Sequence, residues 1–130
     1  NPIETLSTMK SLLAPGGLIW IAVPNAAYPL ARALRGRWHS TDLPYHLMQF
    51  SPQSMTKAAN EAGLKVLNLY TESIPAMVEG SIGLYLRYRW MIPRRLSNAT
   101  GPLGIPAPWY ATKVDDQKNG EAIIAELALT

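Results

Sequence analysis

The 130-residue sequence contains no cysteine, which excludes disulfide bridges and metal sites built on thiolates. It has no run of about 18 apolar residues that could span a membrane, and its first residues do not resemble a signal peptide. Acidic residues are absent between Glu79 and Asp115, whereas four arginines lie within that stretch. The net charge of +3 therefore comes from one segment, which argues against a protein that coats nucleic acid. We expect a cytoplasmic protein by default.

The start of the chain predicts a helix, a glycine turn and a strand in succession. Residues 1–13 carry apolar side chains at helical spacing, and Asn1 suits the N-cap position. The proline and two glycines that follow end this helix. Residues 18–23 are six consecutive apolar residues without alternation. We therefore expect a strand that is buried on both faces, as in a parallel α/β sheet, with Trp20 in the core.

A second clear helix and two further strands are predicted along the rest of the chain. Residues 26–37 predict a weak helix, and residues 38–50 an aromatic loop that carries histidines. Ser51 is a suitable N-cap for the next helix, which ends at a glycine. We expect strands at 64–70, with one face more exposed, and at 121–129, after an Asn-Gly turn.

Residues 72–118 predict an irregular insertion, because prolines and glycines are frequent there. Apolar and polar residues alternate from Ser81 to Trp90, which favours a strand at that point. Some of the same residues also follow helical spacing, so a helix stays open. Long insertions of this kind are mostly surface loops, and a minority of them recognise substrates.

Three segments of the sequence carry a resemblance to a known family. They are Leu12-Leu13-Ala14-Pro15-Gly16-Gly17 with the apolar strand and Pro24-Asn25 behind it, then Pro44-Tyr45-His46-Leu47-Met48-Gln49-Phe50-Ser51, then Ala62-Gly63-Leu64. In this order and at these distances they resemble segments of class I S-adenosylmethionine-dependent methyltransferases. The similarity is greatest to the branch that includes ubiquinone-biosynthesis, sugar and lipid methyltransferases. It covers residues 1 to about 70, and residues 119–129 are similar to the final strand.

The resemblance implies an α/β fold, the C-terminal part of a Rossmann-like methyltransferase sheet, with strands five to seven and their flanking helices. In the family the last strand is antiparallel and lies between the other two. The glycine-rich loop and the acidic residue that hold S-adenosylmethionine belong to the other half, and no such loop occurs here. We therefore expect residues 1–130 to be a partial methyltransferase domain. It would use the cofactor in the complete enzyme, and bind none and be inactive alone.

His46 is the candidate catalytic residue, because a neutral imidazole can accept a proton from a substrate hydroxyl. The alternative is a histidine whose ring nitrogens fix the loop before the next helix. Asn25, Trp38 and Tyr45 are candidates for the substrate side, and Asn25 ends a strand at the rim where α/β proteins bind ligands. His39 is expected to be an exposed loop residue. Two histidines without matching carboxylates or cysteines predict no metal site.

Three hypotheses for the function stay open. The first is a methyltransferase portion whose partners are a missing N-terminal half and a small-molecule methyl acceptor, with residues 26–50 and 72–118 as a lid. The second is a non-catalytic α/β interaction module that pairs with a second copy through the apolar edge of strand 18–23.

The third hypothesis is a peripheral binder of anionic lipid or nucleic acid. It would use a basic patch that consists of Arg87, Arg89, Arg94 and Arg95. Aromatic residues that pack under a loop, with arginines solvating its outside, explain the same segment. We expect no nucleic-acid partner, and contact with a membrane is the less favoured alternative.

Overall fold

The computed structural model describes residues 1–35, 38–41, 44–91, 107–116 and 119–130. In these ranges the chain forms α1 (Pro2–Ser11), β1 (Leu18–Pro24), α2 (Pro29–Leu34), α3 (Pro52–Glu61), β2 (Leu64–Glu72), α4 (Pro75–Trp90), α5 (Ala107–Asp116) and β3 (Ala122–Leu129). A short 3-10 turn at His39–Thr41 lies between α2 and α3. The helices and strands predicted outside the 72–118 stretch are thus confirmed in type, with ends that differ by a few residues.

The three strands form one sheet in the order β1-β3-β2, and β3 runs antiparallel to both neighbours. In the centre of the sheet Ile21 faces Ala125, which also faces Leu69. β1 and β2 therefore run in the same direction with β3 between them, and in the described ranges no strand pairs in parallel with β1. This order and these directions agree with those that the sequence resemblance implies for the last three strands. The architecture is mixed α/β, as predicted.

One face of the sheet is covered by α1 and α3 and forms the main core. Side chains alternate between the two faces of a strand, so Ile19, Leu64 and Leu127 point to the same side. They pack there with Leu6 of α1 and Met55 of α3, and all five are buried. Burial of such a side chain stabilises the fold by about 1.5–3 kcal/mol. This covered face holds the sheet and the two helices together.

The sequence around α3 fixes both of its ends. The Ser51 hydroxyl accepts a hydrogen bond from the Ser54 N–H (3.1 Å), and the Ser54 hydroxyl accepts one from the Ser51 N–H (2.8 Å). This reciprocal capping box satisfies two N–H groups that the helix itself leaves unpaired. Gly63 follows the helix with a φ of 71°, in the left-handed region that favours glycine. The chain therefore turns at once from α3 into β2.

The second face of the sheet, which we call the open face, is uncovered at β1. The prediction that this strand is buried on both faces is therefore wrong. Leu18 and Trp20 point to the open face and each is 61% exposed, so Trp20 is not a core residue. The physical reason is that α1 and α3 both pack on the opposite face. Among the described residues, β1 pairs with β3 alone, apart from a bridge between Asn25 and Phe50 just beyond its end.

Residues 72–118 contain two helices in the part that the structure describes, so the prediction of an irregular insertion is wrong there. The favoured strand from Ser81 to Trp90 is part of α4, and the helical alternative was the right one. Val78 and Ile82, four residues apart, pack together against Ala111 of α5. This contact selects the helix over the strand. No helix in the described ranges is both long and apolar enough to cross a bilayer.

Candidate functional site

A cleft of about 330 Å³ lies on the open face. It is bounded by the carboxyl ends of β1 and β2, the first turns of α4 and the loop around residue 40. Its volume is in the range of small-molecule sites. The walls are mainly apolar and include Trp20, Ile74 and Ile124, and the polar lining residues are Ser40, His46, Glu72 and Glu121.

Glu121, the residue before β3, is the buried acid of this cleft and is 1% exposed. Its Oε1 accepts hydrogen bonds from the indole N–H of Trp38 (3.0 Å) and from the hydroxyl of Ser40 (2.7 Å). Its Oε2 is buried and has no hydrogen-bond partner among the described residues. Because an unsatisfied buried polar atom costs about 1–3 kcal/mol, this oxygen marks a position where a further donor would be stabilised.

Burial raises the pKa of the Glu121 carboxyl above its ordinary value, and the hydrogen bonds from Ser40 and Trp38 and the nearby His39 lower it only in part. Burial also raises the pKa of the Tyr28 hydroxyl, and the charge of Glu121 adds to that effect. The Tyr28 hydroxyl is buried and has no hydrogen-bond partner in the described ranges. Glu121 therefore holds its proton more tightly than an exposed acid does.

His46 lines the same cleft, is exposed and is tied to Ser40. Its Nδ1 lies 3.1 Å from the main-chain oxygen of Ser40. A carbonyl oxygen can only accept a hydrogen bond, so Nδ1 carries the hydrogen and Nε2 of the neutral ring keeps its lone pair. This is the tautomer that a proton acceptor requires. Ser40 thus contacts both ionisable groups, His46 through its carbonyl and Glu121 through its hydroxyl.

Small residues on α4 allow the 38–41 turn to approach the helix. A Cβ atom on Gly80 would lie 2.8 Å from the ring of His39, so a side chain at this position would force that ring to move. The next residue, Ser81, accepts a hydrogen bond from the His39 N–H (3.1 Å). The two contacts hold Ser40 against the cleft.

Gly120 brings the start of β3 close to the end of β2. A Cβ atom on Gly120 would lie 2.7 Å from the main-chain nitrogen of Glu72, so any side chain would collide with the backbone. The Gly120 N–H donates a hydrogen bond to the hydroxyl of Thr71 (2.8 Å). As a result Glu72 and Glu121, on neighbouring strands, both reach the cleft.

The three residues predicted for the substrate side have different positions. Asn25 is fully buried, donates to the Gly120 carbonyl (2.7 Å) and accepts from the Ala27 N–H (3.0 Å), so it holds the turn after β1. Trp38 is buried and donates its indole N–H to the Glu121 carboxyl group. Tyr45 is 81% exposed and does not line the cleft. Of the predicted site residues that the structure describes, His46 alone lines the cleft.

Sequence reasoning missed Glu121 and Ser40. The available signal was an acidic residue directly before the apolar run of β3, because acids are rarely buried without partners. Its partners are distant in sequence, with 81 residues to Ser40 and 83 to Trp38. No local pattern connects residues that far apart, so the cluster depends on the tertiary fold.

The predicted basic patch is described only in part. Arg87 and Arg89 lie near the end of α4, and neither lines the cleft. The Arg89 guanidinium lies 5.0 Å from the centre of the Trp90 ring, which is a cation–π contact. Arg94 and Arg95 lie outside the described residues.

The described residues do not fit S-adenosylmethionine. A nucleotide-type cofactor requires a glycine turn at the carboxyl end of a strand, where the backbone can approach the ligand. Gly16 and Gly63 have positive φ but precede β1 and β2, at the opposite ends of those strands. Gly80 and Gly83 lie inside α4. Within the described ranges no group of three or more histidine, aspartate or glutamate side chains is placed to hold a metal ion.

Comparison with known proteins agrees with the sequence resemblance. A protein-family model described as methyltransferase domain matches residues 1–69, which is more than half of the 130 residues. The match contains β1, α3 and His46, and ends inside β2. No curated protein and no solved structure matches the chain. The chain therefore belongs to the methyltransferase-domain family.

Proposed function

We propose that this chain is the C-terminal part of an S-adenosylmethionine-dependent methyltransferase and holds the methyl acceptor in the cleft of the open face. Membership of the methyltransferase-domain family supports the reaction class. The strand order β1-β3-β2 supports an assignment to strands five, seven and six of a Rossmann-like sheet. The observation that carries the proposal is the cluster of Ser40, His46 and Glu121 in an otherwise mainly apolar cleft.

His46 is the proton acceptor in this proposal. Its Nδ1–H is donated to Ser40, so Nε2 takes a proton from the hydroxyl or the ammonium group of the acceptor. Loss of that proton leaves an electron pair on the acceptor oxygen or nitrogen. The apolar walls hold the carbon skeleton, and Ser40 fixes the orientation of the imidazole.

The cofactor is held by residues outside this chain in our proposal, because the described residues do not fit it. Segments 26–50 and 72–118 contribute a lid over the acceptor, and among their described parts the 38–41 turn and α4 border the cleft. A cytoplasmic location stays a prediction from composition alone.

Calorimetry with S-adenosylmethionine tests the division of the two binding sites, with the acceptor site in this chain and the cofactor site outside it. We expect no heat of binding to the 130-residue chain, and binding to a longer chain that is extended upstream in its reading frame. Micromolar affinity of the 130-residue chain would contradict the division. Failure of both proteins to bind the cofactor would contradict the methyltransferase function.

The role of His46 is tested in the extended, active chain with His46→Gln. We expect kcat to fall by about 10²–10⁴, the usual contribution of a general base. Tyr45→Phe is the control, because Tyr45 precedes His46 in the chain, is 81% exposed and does not line the cleft. Equal rates for the two variants would remove His46 from the mechanism.

A second candidate function is an interaction module that pairs through β1. It is favoured by the composition of the two sheet edges. The β1 edge carries apolar residues such as Leu18 and Trp20, whereas the β2 edge carries Lys65 and a bulge between Val66 and Asn68. Charges and bulges discourage edge pairing, so β1 is the edge where a second copy or a missing half would add a strand.

The direction of the main-chain groups allows a selective test of that edge. The Asn25 N–H points to β3, where it binds the Glu121 carbonyl (2.8 Å), and directions alternate along a strand. The N–H of Ala22 therefore points away from β3. Ala22→Pro removes this outward donor and keeps the β1-β3 ladder, and Ala22→Val keeps the donor. Sedimentation should show self-association of the Val variant and of the unchanged chain but not of the Pro variant. A monomeric unchanged chain would contradict the module.

A further inference from the structure

Two acids line the cleft, together with His46, which is the neutral proton acceptor of the proposed function. Glu121 lies at its buried end and Glu72 at an exposed position on the end of β2. Within the described part of the chain, no lysine or arginine lines the cleft. Since like charges repel, this lining disfavours carboxylate and phosphate ligands and favours a cation or a neutral hydrogen-bond donor.

The apolar part of the lining suits a cation that has a hydrocarbon body. Trp20 is 61% exposed and lines the cleft, where its indole ring offers apolar surface to the body of a ligand. Ile74, Met77 and Ile124 provide further apolar contacts for the rest of the ligand. An aromatic wall and two carboxylates together form a set that recognises amines.

We propose that the cleft binds a small molecule with an apolar body and a protonated amine, and that the ammonium group lies beside Glu121. The buried Oε2 of Glu121, which has no hydrogen-bond partner among the described residues, accepts a hydrogen bond from this group. Such charge-assisted bonds are about twice as strong as neutral ones. The ligand is a methyl acceptor only if the proposed function also holds, in which case His46 takes the proton that frees the nitrogen electron pair.

Three ligands of similar shape separate the possible head groups, namely 2-phenylethylamine, 2-phenylethanol and 3-phenylpropanoate. We expect calorimetry with the 130-residue chain to show that the amine binds at least about tenfold more tightly than the alcohol, and that the carboxylate does not bind. Equal affinities for the amine and the alcohol, or preferential binding of the carboxylate, would overturn the proposal.

The variant Glu121→Gln tests whether Glu121 is the residue that binds the ammonium group. This variant keeps the size of the side chain and removes the carboxyl group. We expect this variant to bind the amine at least about tenfold more weakly and the alcohol as before. Glu126→Gln is the matched control on the same strand, since Glu126 does not line the cleft. If Glu121→Gln does not fold, Glu72→Gln at the exposed position replaces it and should weaken amine binding by a smaller factor. If Glu121→Gln folds, unchanged amine binding by this variant would overturn the proposal. If it does not fold, unchanged amine binding by Glu72→Gln would overturn it.

Proton release gives a readout that does not depend on activity. An ammonium group beside Glu121 favours the ionised carboxylate, so amine binding should release protons at any pH where this carboxyl is still partly protonated. The binding heat of the amine then depends on the ionisation enthalpy of the buffer, and that of the alcohol does not. Amine binding without methyl transfer in the extended chain would leave this inference standing and reject the proposed function. Methyl transfer to neutral or anionic acceptors alone would reject this inference and leave the proposed function standing.

Discussion

The two faces of the sheet differ in what packs against them. The covered face is a continuous core in which Ile19, Leu64 and Leu127 pack under α1 and α3. The open face has exposed apolar residues at β1 and a cleft whose buried end is a carboxyl group, Glu121. Apolar packing tolerates few changes, whereas a polar cluster beside a cleft is built from distant residues and can respond to a ligand. Stability should therefore depend mainly on the covered face, and binding on the open face.

The largest effect should come from truncating the core. Leu127→Ala on the covered face should lower the free energy of unfolding by about 2–5 kcal/mol, because a fully buried leucine leaves a cavity. The same substitution at Leu18 on the open face should change it by less than about 0.5 kcal/mol, since that side chain is 61% exposed. Urea denaturation measures both variants. Similar losses at the two positions would mean that the open face is also packed in solution.

The second prediction concerns the dependence of stability on pH. The pKa of Glu121 is raised above its ordinary value of 4.5, so the folded state keeps a proton that the unfolded state has already lost. This stabilisation is complete below that value and is lost as pH rises through the raised pKa of the folded protein. The slope should reach at most about 1.4 kcal/mol per pH unit. Urea denaturation between about pH 4.5 and 8 measures it.

Glu121→Gln should remove this slope, and Glu126→Gln on the same strand should keep it. The groups that interact electrostatically with Glu121 are Tyr28 and His39, and their contribution is separated with Tyr28→Phe and His39→Gln. If Glu121→Gln has the same pH dependence as the unchanged chain, the buried carboxyl does not control it. The open face would then differ from the covered face in packing only.

The covered face was also the more predictable of the two. Its helix and strand boundaries follow from local signals such as Ser51, Gly63 and the apolar run at 18–23. The burial of that run was predicted wrongly, because periodicity shows how apolar a strand is and not which helices cover it. The α4 helix was missed in favour of a strand, because apolar residues on several of its sides imitate alternation. The contact of α4 with Ala111 favours the helix over the strand, and it is a tertiary contact that local sequence does not reveal.

The candidate site could be predicted only where a family segment contains it. His46 lies in such a segment and lines the cleft. Glu121 does not, and its hydrogen bonds to Trp38 and Ser40 join parts of the chain that no spacing rule connects. Tyr45, a neighbour of His46 in the same segment, is exposed and away from the cleft lining. Sequence proximity to a good candidate is thus a weak guide to membership of the site.

A smaller effect is expected from the helix caps, which also differ between the two faces. On the covered face α3 has a side-chain cap, and Ser51→Ala should cost about 1 kcal/mol by urea denaturation. Ser7→Ala, at an exposed position inside α1, is the control and should stay within about 0.5 kcal/mol. α4 has Ile74 at its N-cap position and no side-chain cap. A loss at Ser51 no larger than at Ser7 would show that tertiary packing alone holds α3.

The smallest effect should be found at the exposed end of α4, where a charge lies over an aromatic ring. A double-mutant cycle of Arg89→Ala and Trp90→Ala should give a coupling free energy of about 0.5 kcal/mol, because the Arg89–Trp90 contact is exposed and screened by water. The Lys113–Trp109 contact on α5, with 4.9 Å from the ammonium nitrogen to the ring centre, is the matched second case and should behave alike. A coupling of 2 kcal/mol or more, on the scale of about one buried apolar side chain, would mean that this end of α4 is covered in solution. A partner surface would then have to lie on the aromatic and basic end of α4 as well as on β1.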